Sequence, residues 1–430
     1  MSKSAKNKTS NPTCQDDYDP NSLDVVEAKR RIKQMLSVVS ESETLAIKDA
    51  LGRTVAKDVL STINVPPYTN SAMDGYAIDG QDLGKIRTFL QVGVAYAGRP
   101  YNGTVKTGEC IRIMTGAPIC AGVDTVIMQE HITLAKTAEG ESVTLREEQI
   151  ANQKPGQNVR HQGEDLALGS PAILAGRRLT PSDIGLLASL GIAEIEVKRN
   201  VRVALLSTGD ELKNIGETLE EGQIYDSNRH TIYCMLQRLG VDIIDLGIIK
   251  DKQSDIRAAF KQASKSADVI ITSGGVSVGD ADYVKQIMEE MGNINFWKIA
   301  MKPGRPLAVG QIGNAFFFGL PGNPVSAMVT FYQYIQPAVR EIMGQTLIET
   351  PSVQMKCVSA LKKRPGRVEF QRGTIFTNDK GEKVVKSTGN QGSHVLSSMS
   401  EANCFIILPM ESGNVEKNTF VEVQPFEGLI

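Results

Sequence analysis

No two of the six cysteines (Cys14, Cys110, Cys120, Cys234, Cys357 and Cys404) stand at a C-x-x-C spacing. That absence argues against a zinc ribbon, a ferredoxin-type cluster or a thioredoxin motif, and points to reduced thiols of a cytosolic protein. Histidine is scarce as well: His131, His161, His230 and His394 are the four present, none paired one helical turn apart, so a His-rich transition-metal site is not indicated. Neither sign of charge dominates. Lys+Arg number 47 against 49 Asp+Glu, so there is no global basic field to hold a polyanion, and no nucleic-acid partner is expected. No apolar run reaches the length of a membrane span, and the first residues carry positive charge without a following apolar segment. Neither a membrane nor secretion is expected, and the localisation read from the chain is cytoplasmic. What is present is ordinary globular composition, 41% hydrophobic and 22% charged over 430 residues. Such a length corresponds to about three domains at roughly 150 residues each.

Residues 1–21 read as a disordered tail. Ser22 is placed to cap a helix running through SLDVVEAKRRIKQML, where Val25, Val26, Ala28, Ile32, Met35 and Leu36 share a face. A second helix is expected after Thr180, with Pro181 at its first position. These pieces, 22–61 and 167–199, are assigned to one discontinuous helical, elongated domain that flanks a β-rich domain over 62–166. From 200 to 345 strands and helices alternate, which predicts a doubly wound α/β domain with a mostly parallel sheet. Short strands separated by turns predict a small β-barrel over 346–430. The fold class is therefore multidomain α/β.

Ligands of open parallel sheets sit at the carboxyl ends of the strands. The loop Thr272-Ser273-Gly274-Gly275-Val276-Ser277-Val278-Gly279-Asp280 follows such a strand and combines three glycines with two serines. Bare backbone N–H groups and hydroxyls ahead of a helix suit a phosphate-like anion, although an unliganded turn has the same composition. Leu320-Pro321-Gly322-Asn323-Pro324 repeats the strand, turn and helix arrangement, as a second anion site or simply a cap by Asn323. Asp210 and Glu211 follow one strand, Asp251 the next, and Asp280 and Asp282 a third. Hard carboxylates beside a phosphate cradle suit Mg²⁺; taken singly, each is also an ordinary cap or solvated acid. Lys298, Lys302 and Arg305 lie within a proline-bearing loop that reads as an anion clamp or a solvated basic turn. The polar segments 66–77 and 158–165 look like loops or linkers.

Taken in order, NSAMDGYA, RIMTGAP, GEDL, STGDEL, SGGVSVGDADY, KPGRP, GLPGNPVSA, FQRG and QGSHVLSS resemble the molybdopterin molybdenumtransferase family, which includes the C-terminal domain of gephyrin. The resemblance implies a stand-alone enzyme without a fused adenylylating domain. It implies an elongated homodimer in which the central domain of one chain faces the β-rich domain of the other. The implied reaction converts adenylylated molybdopterin and molybdate, both substrates, to molybdenum cofactor and AMP with Mg²⁺ as cofactor. Contact with the molybdopterin adenylyltransferase is implied too. Two alternatives from other classes are a scaffold of the gephyrin type and an adenylyl-pterin hydrolase that inserts no metal.

By the same resemblance, Gly274, Gly275, Ser277 and Gly279, with Pro321, Gly322, Asn323 and Pro324, hold the pterin phosphate and the adenylate. Glu211, Asp251 and Asp282 are implied as metal ligands or as placing the attacking water. Asp74 and Asp165 complete the cleft, Asp74 from the partner chain. Lys298, Lys302 and Arg305, with Arg372 of FQRG and Ser393 of QGSH, receive molybdate and phosphate charge. Arg305 stands where the family pattern often has lysine, a change that keeps charge and alters geometry.

Overall fold

The computed structural model describes residues 21–138, 140–274, 283–346 and 351–426. Its centre is a six-stranded sheet in the order Asp242–Ile249, Arg202–Thr208, Val269–Ser273, Ala315–Leu320, Pro306–Ile312, Gly292–Lys298. The first four strands run parallel, and the last two are antiparallel additions. The alternating pattern predicts the parallel part; the antiparallel edge comes from two strands joined across the 299–305 loop.

Why these strands are continuous apolar runs follows from their burial on both faces. Val203, Leu205, Val269, Ile271, Phe316 and Phe318 point into one core with helix Ser227–Leu239. Ala204, Leu206, Ile270 and Phe317 point into the other with helix Gln253–Ser266. Winding is thus on both sides. The chain leaves Arg202–Thr208 towards one edge and returns to Val269–Ser273 on its other side, so the topological switch point lies between those two strands. Crevices for ligands open at such points.

Helix Val25–Met35 departs from expectation in its start and in its packing. Its cap is Asp24, whose carboxylate accepts from Val26 and Glu27 N–H, not Ser22. Leu23 is drawn out of the helix because it bridges Ile299 in parallel. The buried face, Val25, Ala28 and Ile32, belongs to the central core rather than to a helical body. Elsewhere in the stretches 22–61 and 167–199, strands prevail over helices. Ser42–Ala46 pairs with Glu194–Lys198 and Val59–Leu60 with Pro171–Ile173, around Val55, Leu179, Leu187 and Val197. Helix Pro181–Ser189 starts as read, with Thr180 and Asp183 forming a reciprocal cap and Pro181 in the first turn.

Between them a mixed sheet runs Thr125–Met128, Gly75–Ile78, Glu109–Ile113, Thr88–Ala95, Gly140–Leu145, Ile132–Thr137. At the other end of the chain, Val368–Thr377, Lys383–Ser387, Val353–Cys357, Phe420–Pro425 and Cys404–Leu408 close into a five-stranded barrel, the last strand returning to the first. Tyr332 of the central helices stacks on Phe426 and meets Phe405 edge-on, which docks the barrel against the α/β body. Cys110, Cys120, Cys234, Cys357 and Cys404 are free thiols. Among the described residues no helix is long and apolar enough to cross a membrane.

Candidate functional site

At the switch point, Thr208 ends its strand and Gly209 turns the chain at φ +145°, so that the next two residues project past the sheet. A Cβ on Gly209 would lie 2.6 Å from Glu211 Oε2, because the Glu211 carboxylate folds back over the turn. Asp251, beyond the neighbouring strand, meets this loop: its N–H donates to Asp210 Oδ1 at 3.3 Å. Asp251 is exposed as a residue, yet partial desolvation of its carboxyl, with the charges of Asp210 and Glu211, pushes its pKa above the ordinary carboxylate value. Three like charges so arranged favour a cation or a proton. Asp210 and Glu211, read together as acids past one strand end, thus meet Asp251 from the next; Asp210, not counted among the expected metal ligands, is the one that bonds it. Among the described residues no three His, Cys, Asp or Glu side chains converge tightly enough to hold a metal alone. One or two carboxylates completed by phosphate oxygens are what Mg²⁺ uses, so the donor set fits it.

The loop is anchored from below. Ile224 N–H donates to Glu211 O at 2.8 Å, and Leu212–Lys213 pairs with Ile224–Tyr225. Buried Arg229 then binds Asp226, the cap of helix Ser227–Leu239, and Asp245. A charge network of this kind is costly to break once buried.

Across the crevice, Gly274 has φ +89° and its N–H donates to Leu320 O at 3.2 Å. A Cβ there would stand 2.8 Å from Thr208 O, so only glycine lets this turn approach the neighbouring strand end. Gly275, Ser277, Gly279 and Asp282 lie outside the described residues.

The other cradle follows Leu320. Pro321 is buried, Gly322 and Asn323 are exposed, and Pro324 opens the following helix. Asn323 occupies the cap position without making a side-chain cap bond, so its amide is not engaged by the helix. Val325 N–H, a first-turn donor, is taken by Ser393 O at 3.1 Å. The QGSH loop of the barrel therefore seats on the start of this helix, and Ser393 reaches the cradle through its backbone. One residue was not foreseen: Asn228 Nδ2 donates to both Ser273 Oγ and Gly322 O, each at 2.8 Å, and so joins the two cradles. Its position two residues past Asp226 in a helix start gave no local signal of that contact.

The cationic loop is held on both sides. Leu23 N–H donates to Lys298 O at 2.7 Å, Ala300 N–H to Leu23 O at 2.8 Å, and Arg305 reaches Ser22 Oγ at 3.4 Å. On the barrel side, Met301–Lys302 pairs with Val368 and Glu369, and Lys302 Nζ lies 3.3 Å from the buried carboxylate of Glu369. Lys298 is half-buried, Lys302 exposed and Arg305 buried. Arg372, expected among the anion receivers, is 1% exposed, buried between the barrel wall and the 387–400 loop. Its guanidinium donates to Ser398 Oγ and to the carbonyls of Asn390 and Gly392. Burial lowers its pKa to about 10, still charged at neutral pH. The physical reason is strand alternation: Gly373 and Ile375 face the barrel core, while Arg372 shares with Phe370 the opposite face, which the 387–400 loop covers. Arg372 holds the loop that carries Ser393.

Asp74 and Asp165 lie apart from the central sheet. Asp74 accepts from Thr115 N–H and Oγ, both at 2.7 Å, and these bonds with the Arg112 charge hold its pKa below the usual value. The two polar segments read as loops are one structure: Asn70–Ser71 pairs with Val159–Arg160, and Asp165 N–H donates to Val65 O at 3.0 Å. Asp74 and Asp165 stand at opposite ends of that ladder. Among the described residues, no hydrogen bond or ion pair links 62–166 to the central sheet.

Comparison with known proteins agrees with this arrangement. Residues 23–191 match the family model described as MoeA N-terminal region (domain I and II), 204–341 match "Probable molybdopterin binding domain", and 354–426 match MoeA C-terminal region (domain IV). A molybdopterin molybdenumtransferase of Haemophilus influenzae is 44% identical over 409 residues, spanning 95% of this chain and 100% of that one. Gephyrin of Dictyostelium discoideum is 33% identical over 91% of this chain, which spans 60% of the gephyrin length. The crystal structure of the molybdopterin biosynthesis moeA protein from Pyrococcus horikoshii OT3 superposes with a TM-score of 0.80 at 25% identity, covering 94% of this chain and 100% of that chain. With a mostly parallel sheet whose switch point gathers acids and glycine turns, flanked by the N-terminal and barrel regions of those models, the chain belongs to the molybdopterin molybdenumtransferase family, transferases of molybdenum-cofactor biosynthesis.

Proposed function

We propose that the substrate is molybdopterin in adenylylated form, and that the enzyme converts it with molybdate to molybdenum cofactor and AMP in an Mg²⁺-dependent reaction. The observation that carries this reading is the meeting of strand ends at Thr208 and Ser273, where the loops that bear the carboxylates adjoin the glycine turn. A phosphoanhydride needs both: backbone N–H groups for its oxygens and hard ligands for the cation that neutralises it. Glu211 and Asp251, joined by Asp210 and by Asp282, would hold Mg²⁺, which supplies charge stabilisation for the departing AMP. Gly322 leaves backbone open to phosphate oxygens, while Gly274, its N–H taken by Leu320 O, lets the turn close on Thr208. Lys298, Lys302 and Arg305 present positive charge to molybdate while the dithiolene sulfurs displace its oxygens. Lys302 would exchange part of its contact with Glu369 for the oxyanion.

Asp74 and Asp165 complete the cleft in this scheme, Asp74 from a second chain of a homodimer. Supporting this, no hydrogen bond or ion pair among the described residues joins the 62–166 segment to the central sheet of its own chain. The adenylylated substrate implies receipt from the adenylyltransferase that makes it.

The test supplies purified enzyme with adenylylated molybdopterin, molybdate and Mg²⁺, and follows AMP release and reconstitution of a cofactor-free molybdoenzyme. Wild type should yield both, and Glu211→Gln neither. AMP without active cofactor would replace this reading with a hydrolase. Substrate binding with no product would replace it with a scaffold.

A further inference from the structure

We propose that Asn228 is a positioning residue for the substrate, holding the Ser273–Gly274 turn and the Gly322 turn at one fixed separation; the inference rests on the reaction assigned above. An asparagine amide has two N–H donors, and here each has an acceptor at 2.8 Å, Ser273 Oγ and Gly322 O. Those acceptors come from loops that follow different strands, and they are separated by more than a helix and a hairpin in sequence. Ser273 is the last residue of its strand and directly precedes the strained Gly274 turn. Gly322 has no side chain with which to fix itself, and nothing lies within 4 Å of where its Cβ would be. Its carbonyl is thus held from Asn228's side.

Asn228 is itself rigidly based. It sits in the first turn of a helix whose Asp226 cap is 2% exposed and bound to Arg229, which also binds Asp245 on the edge strand. The tie therefore refers both cradles to the sheet. A second consequence concerns Ser273. A hydroxyl oxygen that accepts from Asn228 keeps its own O–H to donate elsewhere, so the same bond orients a donor at the mouth of the crevice. Aspartate has nearly the same shape but no N–H, and would set an acceptor against the Gly322 carbonyl.

The experiment measures steady-state AMP release for wild type, Asn228→Ala, Asn228→Asp, Ser273→Ala and the double variant Asn228→Ala/Ser273→Ala, with melting temperatures alongside. Loss of two hydrogen bonds to the cradles should raise KM for adenylylated molybdopterin about tenfold, with kcat little changed. Asn228→Asp should be no better than Asn228→Ala, and the double variant should fall short of the product of the single effects. An unchanged KM, a fall in kcat and melting temperature alone, or fully multiplicative effects would overturn the proposal. Titration with AMP by calorimetry reads the cradle without turnover. Binding about tenfold weaker in Asn228→Ala upholds the proposal even if wild type releases no AMP, an outcome that would remove only the assigned reaction. Equal AMP affinity overturns it.

Discussion

Gly274→Ala tests whether the strand-end turn exists to bring two loops into contact. The perturbation is one methyl group on a residue at φ +89°, aimed at Thr208 O only 2.8 Å away. Two terms add. The backbone conformation costs an L-residue about 1–2 kcal/mol, and crowding a packed backbone oxygen costs roughly 1–3 kcal/mol more. Gly381 supplies the control. It has φ +78° in the turn before Lys383–Ser387, with no atom within 4 Å of a Cβ, so Gly381→Ala carries the first term alone. The difference of about 2 kcal/mol corresponds to roughly 4–8 °C in the transition that reports the central sheet. Relief of the clash moves the turn away from Thr208 and takes Ser273 off Asn228, so AMP release should fall at least about tenfold in Gly274→Ala. Gly381→Ala should keep wild-type activity. Differential scanning calorimetry with the AMP assay decides it: if the two variants melt and turn over alike, the close approach is not what demands glycine at 274.

Other outcomes follow from the same geometry. Gly322 has open space around its Cβ position, so Gly322→Ala should leave the melting temperature unchanged and raise KM by narrowing the crevice; a destabilised variant with normal KM would contradict this. Asp251 titrates above its ordinary value. Its stabilising contribution is therefore complete below the unfolded-state pKa and is lost as pH rises through the folded-state value. At neutral pH without divalent cation, Asp251→Asn should melt higher than wild type; with Mg²⁺ in the proposed role, wild type should gain melting temperature on its addition and Asp251→Asn should not. A lower melting point under those conditions refutes the charge argument. Arg372→Met leaves the carbonyls of Asn390 and Gly392 without their donor and should destabilise the barrel by about 3 kcal/mol. Arg372→Lys should rescue little, since one ammonium cannot reproduce the fork; wild-type stability in either variant by urea denaturation would refute a structural role.

Patterns decided by near neighbours could be read from the chain. The apolar runs VRVALLS and DVIITS become strands because each of their faces needs covering, and Thr180-Pro181 starts a helix because its cap lies within four residues. The glycine turns and acids after those strands marked the carboxyl edge of a parallel sheet, and with it the candidate site. Contacts across hundreds of residues had no such trace. Leu23 leaves its helix to bridge Ile299, and Val25, Ala28 and Ile32 join the central core. Segments 66–77 and 158–165, each unremarkable alone, make one ladder. Arg372 has the composition of an anion receiver, but its place on the barrel face that the 387–400 loop covers gives its guanidinium three internal acceptors. Asn228 shows the same limit at the site itself. Helix position determines where its backbone starts, whereas its function as a tie depends on two loops that the sheet order brings to it. Local sequence sets conformational preference and burial pattern; which distant polar groups meet is set by the packing that those preferences build.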